Sequence, residues 1–522
     1  MSTHFRYSTD HRSFMGMSTD LEQMLAVIDF ATEENQLPPR DWEASIAWIQ
    51  SAETDDLIPL LEAFTIRPAP QTPVAQNLVA TVLQQLAWRA GSRADNNDTL
   101  PPQHLAALYR HWHGADATRV WLLRCLALQY DHNSLTTFAE LLVSDPPVDA
   151  ATALTPLFQS KNYDPAALFP RLLDGLSYTS LAVLILDLAN YTVREELLDQ
   201  HPAEDRQSEL TQLLGGLVRE LEQLEQKPQA AATRPNDAER VSESVSLAVS
   251  LCDALALIGS TSAISQLYQA LELRHRRLRL EAAASLIRLG EDEAQQALIQ
   301  LAGEPVVRLR ALAYAQELDL VDQIDEKYKT PIAEAEAEVA WWLAQPTQMG
   351  IPPTTCELVD SRTQHWPGYD APMPCFLFRF TYQFGNSQYS NVAIAGPLTH
   401  AFATSFCDLS AEDAYAGFAG WHVDHEEIYE VEIDPANPTP TVTEYVGRIE
   451  RDGYEVLTPS LLGFFLGEQT LVAKAVRDGE PGYVLLENTD IYWRPQGPDD
   501  PQLLAVDAYG IHKGHKLLRA FN

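Results

Sequence analysis

Residues 250–259 read SLCDALALIG, residues 282–290 read AAASLIRLG, and residues 306–320 read VVRLRALAYAQELDL. Gly259 to Gly290 is a step of 31, and Arg279-Leu280-x-Ala282 to Arg308-Leu309-x-Ala311 is a step of 29. A step near 30 holds two helices of about a dozen residues with their turns. The small side chains of Ala282, Ala284, Ala311 and Ala313 let neighbouring helices approach closely. Each such pair leaves an apolar face that only another pair can cover, so the unit must repeat.

Upstream the same grammar continues. Thr72-Pro73 opens a stripe through Val74, Leu78, Val82 and Leu86, and similar stripes run over about 20–34, 41–51, 103–112, 117–128, 134–143, 164–174, 178–189 and 206–225. Pro, Gly, Asn or Asp separates most of them. At Arg279 and Arg308, with an Ala-rich helix and a Leu-x-x-Leu-Gly-like ending, the chain resembles the HEAT-like repeat family, including the short type found in phycobilisome-lyase-like proteins. The resemblance covers about 245–320 and is architectural over 20–225. It implies a fold and carries no lyase activity with it.

After Pro346 the pattern changes. Prolines punctuate an extended crossing, and CFLFRFTYQF then alternates Phe376, Phe378, Phe380 and Tyr382 against Arg379, Thr381 and Gln383. Gly385-Asn386 marks a hairpin turn before QYSNVAIAG. Ser410 and Asp413 form a capping box for a short helix ending near Gly420. Further strands are expected at 427–433, 440–449, 482–487 and 503–509, and a second helix at about 459–475. The expected fold class is an α-solenoid of HEAT-like helical repeats followed by a smaller α+β domain. Its parts are a loosely held N-terminus (1–18), a helical-repeat segment (19–225), a loop (226–238), a HEAT-like repeat segment (239–345), a Pro-rich connection (346–373) and the α+β domain (374–522).

Lys plus Arg number 36 and Asp plus Glu 73, a formal charge of −37. That excess repels phosphate backbones and anionic lipid, so neither nucleic acid nor a membrane is an expected partner. Hydrophobic residues at 46% are ample for a core, which excludes wholesale disorder. The five scattered cysteines suit free thiols in a reducing compartment. The start MSTHFRYSTDHRSF has no apolar core of signal-peptide length, and no run of membrane-spanning length is read, Leu181–Leu186 being the most apolar. A soluble, cytoplasmic, bacterial protein is expected.

The chemistry-bearing clusters are few. Arg276, Arg277 and Arg279, with Arg308 and Arg310 one repeat later, form either an internal ladder paired with acids such as Glu281 and Asp292 or a cationic stripe that grips an anion. Trp366, in the Pro-rich HWPGYDAP, is the expected exposed contact residue, and His512 and His515 lie in a basic C-terminal patch. His422, His425 and Glu426 are weak metal-ligand candidates: Tyr429 breaks the H-E-x-x-H pattern, and strand-like alternation would point His422 and His425 to opposite faces. Cys407 lies between His400 and His422, but no Ser elbow, phosphate-binding loop or dinucleotide fingerprint is present. No cofactor is expected. The expected function is non-enzymatic recognition of a basic protein partner by an acidic helical-repeat surface, of which an inhibitor or immunity-type protein is one form. The competing class is a hydrolase-like or metal-dependent enzyme with its site in the C-terminal domain.

Overall fold

The computed structural model describes residues 19–36, 42–93, 98–226, 235–364, 366, 369, 373–422, 429–431, 433–434, 436–463, 469–487 and 490–497. The chain divides into two compact units, 1–294 and 295–522. A long helical region is followed by two small antiparallel sheets with helices against them.

The first unit contains α1 (Thr19–Glu34), α2 (Trp42–Ser51), α3 (Thr54–Thr65), α4 (Pro73–Arg93), α5 (Pro102–His111), α6 (Asp116–Gln129), α7 (His132–Ser144), α8 (Ala150–Gln159), α9 (Thr179–Arg194), α10 (Gln207–Gln226), α11 (Pro235–Ile258), α12 (Ile264–Leu271) and α13 (Arg276–Arg288). One succession of neighbours runs α4–α6–α8–α9–α11–α13, and α3–α5–α7 and α10–α12 form others. The α5–α6, α6–α7, α10–α11 and α12–α13 contacts tie these rows together. Leu83, Leu123, Leu154, Leu186, Leu251 and Leu286, one from each helix of the long row, are wholly buried.

The helices end in a recurrent way. Gly259 and Gly290 take φ of 75° and 91°, and the next N–H reaches back five residues, Ser260 to Leu255 O and Glu291 to Leu286 O. These bonds satisfy carbonyls the helix end would otherwise leave open. Glu196 does the same after α9, with φ of 58° and Leu197 N donating to Thr192 O.

Several expectations need correction here. The stretch 164–174 forms two 3-10 turns, Pro165–Ala167 and Arg171–Ser177, because Pro165 and Pro170 lack the N–H groups a continuous α-helix uses. α3 and α8 fall outside the expected stripes, and each carries an internal proline, Pro59 and Pro156. α11 starts at Pro235, inside the expected loop 226–238, with proline in the first turn where its missing N–H is harmless. Residues 227–234, like the N-terminal 1–18, lie outside the described residues. Within α11, Arg240–Ile258 is long and apolar enough to cross a membrane by length and composition. That stretch is mostly buried, against α9, α10 and α13.

The second unit begins with α14 (Gln295–Leu301), α15 (Pro305–Glu317) and α16 (Pro331–Leu343). Its first sheet has the order β1 (Thr355–Gln364), β2 (Met373–Phe384), β3 (Ser387–Ala395), β4 (His400–Ala401). Alternation along β2 sorts the core into two layers. Phe376, Phe378, Phe380 and Tyr382 pack with Ala335, Val339 and Leu343 of α16. Cys375 and Leu377 pack with Ala414, Tyr415 and Phe418 of α17 (Ala411–His422) on the other side. Ser410 and Asp413 form the capping box at the start of α17, and Gly385, at φ of 59°, opens the β2–β3 turn. The compact unit therefore begins before the composition changes at 346, because α16 is one cover of the sheet. β1 lies inside the expected Pro-rich connection. It is an edge strand with little burial on either face, so no apolar alternation announces it.

The second sheet has the order β5 (Tyr429–Val431), β6 (Glu455–Gly463), β7 (Gln469–Arg477), β8 (Glu480–Glu487), β9 (Asp490–Pro495), with α18 (Pro440–Arg451) against it. Two assignments are reversed. The expected strand 440–449 is α18: Thr439 accepts from Val442 N and Pro440 occupies the first turn. The expected helix 459–475 is β6 and β7, paired in register Leu461 to Leu471. Leu471, Ala473 and Ala475 join the core of this sheet with α18, while Lys474 is exposed. Residues 503–509 lie outside the described residues.

Candidate functional site

The arginines of the repeat motif sort by depth. Arg279 is the fourth residue of α13, and its Nε donates to Leu271 O, the last carbonyl of α12, at 3.2 Å. Arg308 is the fourth residue of α15 and is 2% exposed. Its Nε donates to Ala302 O at 3.0 Å and its Nη2 to Gly303 O at 3.3 Å, just beyond the end of α14. Its Nη1 reaches Ala333 O at 2.8 Å and Glu336 Oε2 at 2.6 Å. Each of these two arginines thus ties its own helix, α13 or α15, to the end of the helix before it. This favours the internal ladder over the cationic stripe. Arg308 is not available to a ligand, and its acid is Glu336 instead of Glu281 or Asp292.

Other buried arginines of the first unit do similar work. Arg89 donates to Ala52 O and to Asp98 Oδ2, the latter at 2.7 Å. Arg119 reaches Asp116, Asp145 and the Asp145 carbonyl while lying 4.0 Å over the Tyr109 ring. Nearer the surface, the exposed Arg194 and the half-buried Arg288 share Asp253. Arg276 and Arg277 are exposed in the first turn of α13, where the positive end of the helix dipole disfavours cations. Arg310 is exposed and its Nε donates to Tyr314 Oη at 3.0 Å.

Trp366 is wholly buried, packed with Cys375, Leu377 and Phe418, so the exposed-contact reading is overturned. Its ring fills the space between the sheet and α17, and the prolines around it say nothing of that. His425, Glu426, His512 and His515 lie outside the described residues. His422 is the last residue of α17, so its backbone is helical and not strand-like. Among the described residues no group of three or more His, Cys, Asp or Glu side chains could hold a metal ion.

His400 sits in a different setting from the one sequence proximity to Cys407 suggested. Its ring meets Trp342 of α16 at 5.5 Å, Phe402 at 5.0 Å and Phe418 at 6.2 Å, all edge-on. Burial holds the imidazole below its usual pKa, which favours the neutral ring. Beside it, Thr399 Oγ1 donates to Glu338 Oε2 at 3.3 Å, and burial raises the Glu338 carboxyl. Cys407 is half-buried, with its backbone N–H donating to Ser405 Oγ. Glu338 is not among the residues that motif and spacing single out. Its spacing of four from Trp342, one helical turn, was the available signal. Carboxyl, hydroxyl and imidazole gather here against an aromatic wall, a setting able to bind a small polar group or simply to stiffen the α16–β4 contact.

A shallow hollow in the first unit is lined by Phe64, Val79 and Trp112 and flanked by Arg67 and Asp29. Arg67 donates to both Asp29 oxygens, at 3.0 and 2.9 Å, so its polar edge is already matched. Comparison with known proteins adds no name to this geometry: no family model matches the chain, and no curated protein or solved structure matches it.

Proposed function

We propose that the chain is a non-enzymatic binding protein whose first unit is a HEAT-like α-solenoid and whose acidic surface recognises a basic protein partner. The succession α4–α6–α8–α9–α11–α13, with helix closures at Gly259 and Gly290, supports the solenoid reading. The observation that carries the function is the disposition of charge. Arg89, Arg119 and Arg308 are turned inward onto carbonyls and carboxylates, Arg276, Arg277 and Arg310 are exposed, and acids outnumber bases by two to one over the chain. The outward field is therefore negative, which speeds encounter with a cationic protein and selects against anionic ones. An inhibitor or immunity-type protein of the bacterial cytoplasm that neutralises a basic effector is the concrete form of this reading.

A pull-down from native lysate at low and at high salt tests it. A basic protein retained at low salt and released at high salt is expected, and Arg276→Ala/Arg277→Ala should leave its capture intact or tighten it. Absence of any salt-sensitive basic partner would overturn the reading.

A further inference from the structure

One side of α16 carries an electrostatic demand that the described residues leave unmet. Glu334, Glu338, Trp341 and Gln345 recur every three or four residues, so they share a face of the helix. That face points away from Ala335, Val339 and Leu343, which cover the sheet. Trp341 is 55% exposed, and no ring or cation among the described residues stacks on it. Glu334 is exposed and Glu338 half-buried, its Oε2 accepting from Thr399 Oγ1 at 3.3 Å. Neither forms an ion pair with a lysine or arginine among the described residues. Burial, and after it the charge of Glu334, holds the Glu338 carboxyl above its ordinary pKa. The other described carboxyls that depart from the ordinary range, Asp98, Asp174, Asp325 and Asp360, are all lowered. Each of those four pairs with an arginine or a lysine, and so does Glu336, two residues from Glu338 on another face of α16. Glu338 departs from that pattern.

We infer that this face of α16 is the docking point for an arginine side chain of the basic partner, with Trp341 against the guanidinium and Glu334 and Glu338 beside it. The inference rests on the proposed basic partner and gives it a place on the surface. Charge complementarity selects the occupant. Two carboxylates four residues apart on one helix face repel each other, and a cation between them removes the repulsion. An anion is turned away by the same pair, and an apolar segment would leave both carboxylates covered and unpaired. A guanidinium meets the remaining features. It is flat, it stacks on an indole, and its N–H groups form a fork that suits carboxylates. A lysine ammonium meets the carboxylates only as a point charge and gains less from the ring. Tryptophan and arginine are also the side chains that most often concentrate binding energy at an interface.

Calorimetric titration of the full chain at low salt with the acetylated, amidated peptide Arg-Gly-Arg-Gly-Arg tests it, with the lysine counterpart alongside. The arginine peptide is expected to bind the more tightly of the two. Trp341→Leu, which leaves the net charge unchanged, should raise its Kd about three- to fivefold. Glu334→Gln/Glu338→Gln keeps the side-chain shapes and an acceptor for Thr399, and should raise Kd about tenfold. Glu22→Gln/Glu140→Gln removes the same charge from exposed sites on α1 and α7 and should change Kd by less than about twofold. Should Trp341→Leu fail to fold, the paired glutamine variant decides. An arginine peptide that binds, but is weakened no more by the α16 variants than by the Glu22/Glu140 pair, would overturn the inference and leave the basic-partner reading standing. A lysine peptide bound as tightly as the arginine one would overturn the choice of arginine. No binding of either peptide at low salt would overturn both the site and the basic-partner reading.

Discussion

Arg308 and Arg277 look alike in the sequence, each in an arginine-rich helix start, yet their surroundings give them opposite consequences. Arg308→Ala would leave Glu336 and three carbonyls without their donor, and a loss of about 2–4 kcal/mol in unfolding free energy is expected. Arg277→Ala, at an exposed site that the helix dipole disfavours, should stay within about 0.5 kcal/mol of wild type. Paired urea titrations would measure the difference, and equal effects would contradict the assignment of Arg308 as a structural tie. A second residue, His201, sets a pH dependence. Its Nδ1 accepts from Ala203 N at 3.2 Å, which places the proton on Nε2 facing Asn190 Oδ1 at 3.0 Å. Burial pushes this imidazole down to about 4. The unfolded chain takes up a proton near the ordinary value of about 6.5, which the folded chain refuses until about pH 4. Stability is therefore full above about pH 6.5 and declines by up to about 1.4 kcal/mol per pH unit between there and about pH 4. In His201→Gln that part of the acid limb should flatten when stability is followed against pH.

Among the elements, helix ends were more legible than strand identity. Gly259 and Gly290 announced two closures 31 residues apart, but the next one, 29 residues on, is made by Asp319 at φ of 56°, with Leu320 N donating to Ala315 O. Asp is tolerated in the left-handed region without glycine's freedom, so the period continues in the backbone after it fades from the sequence. Asp319→Gly is expected to stabilise the chain by up to about 1 kcal/mol, and Gly290→Ala, which meets no neighbour, to destabilise it by about 1 kcal/mol through strain alone. Thermal melts of the two variants should move in opposite directions. In the C-terminal sheets the apolar runs are too short to separate period 2 from period 3.6, which is how α18 was read as a strand and β6–β7 as a helix. The missed signal was Asp478-Gly479, both residues at positive φ, joining β7 to β8 as a hairpin turn. The alternating aromatics of β2, Phe376, Phe378, Phe380 and Tyr382, do share one face, against α16, but the alternation says nothing of the second cover, α17, over Cys375 and Leu377.

For the whole molecule, composition located a change of architecture near 346 but not the border of the compact unit, which lies at 294/295. The physical reason is α16: Ala335, Val339 and Leu343 read as one more repeat helix, yet they cover the sheet. A fragment beginning at 347 would uncover Phe376, Phe378 and Phe380 and is expected to aggregate on expression, whereas one beginning at 295 should give a cooperative melt. A well-behaved 347–522 fragment would contradict the α16 assignment. The candidate site was legible only in part for a related reason. Periodicity and spacing identify an arginine, a tryptophan or a histidine, but whether Trp366 is buried or Arg277 exposed depends on partners far along the chain.

The same helix also bears on the order in which the protein can form. Most helices of the first unit gain their cover from the helices that follow them, the longest reach among those named being α9 to α11, where Asn190 bonds Ser250 O. α16 must wait for β2 and β3, residues 373–395, before its sheet-facing side is occupied. During that interval Val339 and Leu343 are an open apolar surface. A chaperone acting on the growing chain would find one of its targets at this junction of helix and sheet.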